Sequence, residues 1–383
     1  MNLSNFLFKS SFFLAATLLI CSCNNKGSSV NGKADEIAQL EPQQDDFKII
    51  AYYTPSTGKI DEETVGQLDQ LIFSFMHLQG NELALDDAED STSLAYLTSL
   101  KKQNPNLEVL VSLGGWGGCE TCSDVFSLEK GRKDFAQSVK RILEDFNADG
   151  IDLDWEYPAV QNYPGHAYKP EDKQNFTSLV TELRETLGPD YEISFAAPGF
   201  DEFIQNSVEW EKVMPLMDNL NLMSYDMVSG GSDSTGHHTA LYSNSTQQLS
   251  ADYSLRYLDS IGVPKEKIVL GAAFYARVWE DVANINNGLS QPGKFKQSVL
   301  YKDLDAFQEE HPGFKRYYDS VAQAPYLYNA EKGLFATFDD SLSVKIKTEY
   351  ALQNNLGGIM FWQLSGDNPE DGLLDIIHSV KNR

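Results

Sequence analysis

Basic residues are scarce in this sequence. Against 56 Asp and Glu it sets 30 Lys and Arg, a formal net charge of −26 over 383 residues. Nucleic acids and anionic membrane surfaces are bound through clustered Lys and Arg, so neither is expected as the main partner. Cysteine is sparse as well: four residues are too few for a disulfide-stapled mini-domain in a chain of this length. The six His (77, 166, 237, 238, 311, 378) show no metal-ligand spacing, and neither a metal nor a cofactor is expected. Internal repeats and low-complexity tracts are lacking. With 42% hydrophobic and 22% charged residues the composition is that of a folded globular chain. It excludes a collagen, a coiled coil and a mainly disordered protein.

The apolar run Phe12-Phe13-Leu14-Ala15-Ala16-Thr17-Leu18-Leu19-Ile20 is too short to cross a bilayer. With Lys9 as the only charge, residues 1–22 read as an export signal. The run leads into Cys21-Ser22-Cys23. A small residue directly before a Cys resembles the lipobox of bacterial lipoproteins, in which the Cys is lipidated. Cys23 behind Ser22 fits it better than Cys21 behind Ile20, and plain secretion is the alternative. Residues 23–46 are polar, cannot bury an apolar face, and read as a flexible tether. The expected location is the bacterial cell envelope, with the protein lipid-anchored to an outer membrane and facing the periplasm or the exterior. Cys119 and Cys122 are spaced as in redox or zinc half-sites, but in an exported protein the pair reads as a local disulfide pinning a loop.

From residue 47 to 383 short apolar runs alternate with amphipathic stretches. The strand-like runs are 47–53, 71–76, 107–113, 150–156, 192–197, 220–225, 268–274 and 358–363. Helical spacing links Phe135, Val139, Leu143 and Phe146 within 128–146, and Phe176, Leu179, Leu183 and Leu187 within 173–187. Eight strand–helix units predict an α/β fold, a parallel (β/α)8 TIM barrel with its active site at the C-terminal strand ends. The interval of about 80 residues before Gly358 exceeds one crossover helix. Within it, 280–334 reads as a small α+β insertion between the seventh and eighth strands, and 341–352 as the last barrel helix.

The chemistry is concentrated in Asp149-Gly150-Ile151-Asp152-Leu153-Asp154-Trp155-Glu156-Tyr157-Pro158. Side chains alternate along a strand, so Asp152, Asp154 and Glu156 share one face and Ile151, Leu153 and Trp155 the other. The apolar set belongs against helices, which turns the carboxyls into the barrel. Asp149, of opposite parity, is expected to be structural. Neighbouring like charges and desolvation raise at least one carboxyl pKa, the means of keeping an acid protonated near neutrality. Glu156, outermost, is placed to be the proton donor.

This stretch resembles the DxxDxDxE signature of glycoside hydrolase family 18, the chitinases and related endo-N-acetylglucosaminidases. Ser112-Leu113-Gly114-Gly115-Trp116 is similar to that family's SxGG motif, and Met223-Ser224-Tyr225-Asp226 to its MxYD motif. Phe274-Tyr275-Ala276-Arg277 is similar to its FYGR segment, with Ala276 in place of the usual Gly. Phe335 to Asp340 and Gly358 to Trp362 resemble the close of the chitinase insertion domain and the eighth strand, and the likeness spans nearly all of 47–367.

The resemblance implies a retaining, substrate-assisted hydrolysis through an oxazolinium ion. It casts Glu156 as acid then base, Asp154 as partner of the acetamido N–H, and Asp152 as sharing a proton with Asp154. Tyr225 would donate to the acetamido oxygen. It also implies a sugar-binding set: Trp362 as floor, Tyr52 and Phe75 beside it, Trp116 and Tyr157 on the leaving side, and Met223, Asp226, Tyr275 and Arg277 as wall. The implied partner is a polysaccharide or oligosaccharide of N-acetylglucosamine, met by a monomer whose only tie to a membrane is the lipid anchor. Endo-β-N-acetylglucosaminidase action on the chitobiose core of N-glycans is the alternative. A chitin-binding lectin is disfavoured, because family lectins have lost the acid that stands here as Glu156.

If Cys23 is the anchor, Cys23→Ala will move the protein from the membrane pellet to the soluble fraction on cell fractionation. Persistent membrane association would refute that assignment.

Overall fold

The structure, a computed structural model, describes residues 47–383 except 56, 57, 162 and 371. The expected signal, Cys23 and the tether fall outside the described residues. In chain order come β1 (Lys48–Tyr53), β2 (Gln70–Gln79), a short β3 (Glu82–Ala84), β4 (Glu108–Gly114), β5 (Gly150–Asp154), β6 (Glu192–Pro198), β7 (Asn219–Met223) and β8 (Ile268–Ala273). They are followed by β9 (Tyr275–Glu280), β10 (Lys294–Leu300), β11 (Lys315–Asp319), β12 (Ala324–Asn329), β13 (Leu334–Thr337) and finally β14 (Gly358–Trp362).

Parallel pairing runs from β1 through β2, β4, β5, β6, β7 and β8 to β14, and β14 returns to β1. The ring is closed, so the expected (β/α)8 barrel is the fold. β3 is an addition: it folds back antiparallel on the end of β2, pairing Ala84 with His77. Strand parity builds two cores. On β1, Ile49 and Ala51 face the helices, while Ile50 and Tyr52 join Ile72, Leu110, Val269 and Met360 inside the barrel. The helix Glu129–Phe146 buries Phe135, Val139 and Leu143 and stops where Asn147 turns left-handed at φ 54°. Asp149 secures the foot of β5: its carboxylate accepts from Lys101 Nζ at 2.6 Å and from the Val109 N–H at 2.7 Å.

A second, antiparallel sheet in the order β10-β9-β13-β12-β11 lies between β8 and β14 in sequence. It begins at Tyr275 and ends at Thr337, wider than the 280–334 read from composition. Only Phe274 separates β8 from β9, so one continuous apolar run passes from barrel to second sheet with no turn residue to mark the change.

A buried ion pair fastens this excursion to the barrel. Lys347 and Asp339 are both fully buried, with Nζ 2.7 and 2.8 Å from the two carboxylate oxygens. Asp339 also accepts from the Ala273 N–H at the end of β8 (3.0 Å), from Thr239 (2.9 Å) and from Ser343 (2.7 Å). Burial pulls the Lys347 pKa below its ordinary value, against the pull of Asp339. Breaking such a pair strands a buried charge, at a cost of about 3–5 kcal/mol. Lys347→Met is therefore expected to lower the urea midpoint sharply, and adding Asp339→Leu to recover part of the loss. A single variant as stable as the parent would show that the pair contributes nothing.

Candidate active site

β5 carries Asp152 and Asp154 into the barrel, both nearly inaccessible, while Trp155 turns outward onto Phe126 and Phe176, with ring centroids 5.5 and 6.4 Å away. The strand ends at Asp154, two residues short of the expected end. Glu156 stands beyond it at the rim, half-buried. It thus reaches the rim as the start of the loop after β5 and not as a strand residue.

The carboxyls occupy different electrostatic settings. Asp152 accepts from Ser112 Oγ (2.8 Å), Ser194 Oγ (2.6 Å), Asn221 Nδ2 (3.1 Å) and Tyr52 Oη (3.2 Å). Burial raises its pKa, and these donors oppose the rise. Asp154 lacks such donors, and its Oδ1 is buried without a hydrogen-bond partner. Burial first, then Glu156 and Asp152, push its pKa well above the usual range, which favours its protonated form. Glu156 is pushed to about 7, chiefly by desolvation, with the Tyr157 hydroxyl opposing and Asp226 adding to the rise. The result is an acid able to donate near neutrality, two residues along from a second carboxyl whose protonated form is favoured.

Asp226 has left-handed backbone, φ 55°, and faces Arg277 of β9, whose Nε donates to Oδ1 at 2.5 Å. Burial alone would raise its pKa, but His238 and the guanidinium outweigh it and hold Asp226 well below the usual carboxylate range. His238 Nδ1 lies 3.5 Å from Asp226 Oδ1. The Tyr275 ring stands at 77° to that of Tyr225, 6.2 Å away. The Tyr225 hydroxyl has the weak acceptor Met360 Sδ at 3.8 Å, and Met223 packs against the same interior cluster.

Trp362, at the end of β14, is half-buried and stacks on Phe75 at 5.5 Å and 15°, with Tyr52 tilted beside it at 5.8 Å. Tyr52 is 1% exposed, and its hydroxyl is engaged by Asp152 and Asn221. It supports the acid ladder from beneath the site. Glycine makes the close packing possible: a Cβ on Gly115, at φ 77°, would lie 2.3 Å from the Phe75 ring, and one on Gly114 would lie 2.4 Å from the Asp154 carbonyl oxygen. Trp116 follows, 59% exposed, 6.5 Å from Tyr157. Cys119 and Cys122 form a disulfide in the loop behind it.

The predicted residues therefore converge on one end of the barrel. Sequence reasoning missed the donors to Asp152, although register places Ser112, Asp152 and Ser194 side by side on β4, β5 and β6. The signal was there: polar residues of inward parity on otherwise apolar strands. No comparable signal marked His238. Among the described residues no cluster is suited to a metal ion, and no helix is long and apolar enough to cross a membrane.

Residues 48–367 match the family model of the glycosyl hydrolases of family 18. Chitinase A1 of Niallia circulans is 36% identical over 71% of this chain, which spans 42% of that relative's length. Chitinase B of Serratia marcescens is 28% identical over 85% of the chain and 77% of its own length. The solved structure of a family 18 N-acetylglucosaminidase from Paenibacillus barengoltzii superposes with a TM-score of 0.80 at 34% identity, covering 87% of this chain and 99% of that one.

Gly115→Ala forces a Cβ into the Phe75 ring at a positive φ. It is expected to cost about 1–3 kcal/mol of stability and to change the near-ultraviolet circular dichroism as Phe75 leaves Trp362. An unaltered spectrum and melting temperature would contradict the packing described.

Proposed function

The chain belongs to glycosyl hydrolase family 18, and from that premise we propose that it hydrolyses β-1,4-linked N-acetylglucosamine chains with the substrate's own acetamido group as nucleophile. The observation that carries this reading is the state of the carboxyls. A two-carboxylate retaining hydrolase needs an ionised, reachable nucleophile beside its acid. Asp152 is enclosed by four donors, Asp154 is buried with its charged form disfavoured, and Asp226 is bound to Arg277. Glu156 alone is both protonated near neutrality and open to the rim. The nucleophile then has to arrive with the sugar.

Glu156 gives its proton to the glycosidic oxygen as the C1–O bond breaks, and the acetamido carbonyl oxygen closes on C1 to form an oxazolinium ion. The acetamido N–H finds Asp154 Oδ1, the acceptor left without a partner. Passage of the Asp154 proton toward Asp152 leaves negative charge beside the positive charge that develops. Tyr225 donates to the acetamido oxygen. Glu156, now ionised, takes a proton from water as the water oxygen attacks C1 and the C1 bond to the acetamido oxygen breaks, which frees the acetamido group, restores the anomeric configuration and recharges the acid.

Chitin or its oligosaccharides are favoured over an N-glycan core because β9 of the second sheet brings Tyr275 and Arg277 to the site wall. The likeness to an N-acetylglucosaminidase at 34% identity favours a second reading, release of single N-acetylglucosamine units. Mass spectrometry of products from N-acetylchitooligosaccharides, beside a high-mannose glycopeptide, separates these outcomes. The Cys23 signature supports, as part of this proposal, a lipid anchor at the cell envelope.

Glu156→Gln is expected to lower kcat by about 10²–10⁴-fold while calorimetry still detects oligosaccharide binding. The donor must be protonated, so in the parent kcat/KM will fall about tenfold per pH unit once pH exceeds the Glu156 value of about 7. Unchanged turnover in the variant, or a flat alkaline limb in the parent, would remove Glu156 from the role of acid.

A further inference from the structure

Trp116 and Tyr157 have places in the proposed reaction, but the aromatic side chain next in line has none. Tyr163 lies in the loop after β5, 39% exposed, with its ring 5.5 Å from that of Trp116 at 67°. An edge-to-face contact covers at most one face of one ring, so both residues keep apolar ring surface in water. Exposed aromatic surface of this kind, continuous with a polar cleft, marks a binding site.

The position of Tyr163 is built. Its ring lies across Gly117, where an added Cβ would come within 3.1 Å of it, and the His166 ring backs it at 4.9 Å. The His166 N–H closes a turn onto the Tyr163 carbonyl at 3.0 Å. Further along the loop, Asp172 accepts from the Lys169 N–H at 2.8 Å and from Ser123 Oγ at 3.0 Å, and Lys169 Nζ bonds Asp124. Ser123 and Asp124 belong to the segment held by the Cys119–Cys122 disulfide. The loop carrying Tyr163 and the loop behind Trp116 are thus knitted into one wall. Trp116 links the other two rings, 6.5 Å from Tyr157 and 5.5 Å from Tyr163, and Tyr157 directly follows Glu156 in the chain.

We propose that Tyr163, paired with Trp116, is a sugar-stacking platform on the leaving-group side, taking an N-acetylhexosamine ring one unit further from the cleaved bond than the ring on Trp116. Pyranoses present an apolar C–H face and polar edges, which suits an exposed phenol ring. The assignment rests on the proposed hydrolysis and adds a subsite to it.

Two substrates test it in the full-length protein: N-acetylchitohexaose, which reaches past Trp116, and an aryl β-N-acetylchitobioside, whose small leaving group does not. Tyr163→Ala should raise KM for the hexamer about three- to tenfold and leave kcat/KM for the aryl substrate within about twofold. Tyr163→Phe, which keeps the ring face, should match the parent on both. A Tyr163→Ala enzyme equal to the parent on the hexamer overturns the platform, and so does one weakened equally on both substrates, which would mark a structural role. A folded parent that cuts neither substrate overturns the proposed hydrolysis itself, a result distinct from either.

Discussion

A carboxylate moved from water into the hollow of an apolar barrel loses solvation worth several kcal/mol unless donors replace the water. β5 moves Asp152 and Asp154 into that hollow in succession and leads directly to Glu156. Asp152 receives a full set of donors from β1, β4, β6 and β7. Asp154 receives none at Oδ1, and burial pushes its pKa well above the usual range. Glu156, at the rim, is left balanced between its two states near pH 7. The gradient from solvated to unsolvated carboxyl is what turns an acidic sequence into a proton donor.

Elsewhere the molecule solves the same problem by pairing. Lys347 and Asp339 are as deeply buried as the acid ladder, but they neutralise each other and share Thr239. Asp226 stays ionised because Arg277 and His238 face it. Both pairs join the barrel to the second sheet or to the helix that follows it. The second sheet is therefore part of the site's electrostatics: Arg277, which fixes the charge of Asp226, is a residue of β9. Asp226 in turn contributes to the raised pKa of Glu156.

Much of this was legible from alternation. Ile151, Leu153 and Trp155 against Asp152 and Asp154 announce a strand with one apolar and one acidic face, and closure of eight such units fixes the end at which the acids matter. Alternation fails at chain features without a period. The end of β5 at Asp154 and the passage from β8 to β9 are set by tertiary pairing, and nothing in local composition marks them. Tyr52 shows a subtler limit: the family resemblance casts it as a sugar contact, and in the structure its hydroxyl is engaged by Asp152 and Asn221. Tyr163 and His238 lie in loops, where neither periodicity nor a motif singles them out.

The two sides of the site are built to different tolerances, and the proposed chemistry gives a reason. Trp362 and Phe75 interlock over Gly115, close to the buried acids, so a ring seated there meets a surface with little freedom to adapt. Binding energy on that side is available to orient and distort the sugar whose C1 reacts, because the protein will not yield first. Trp116 and Tyr163 stand instead on loops, 59% and 39% exposed. After bond cleavage the leaving-group side must empty before water can reach C1. In the proposed reaction, a closely packed donor side beside an exposed acceptor side would let that release occur while the oxazolinium ion is still held against Asp154 and Tyr225.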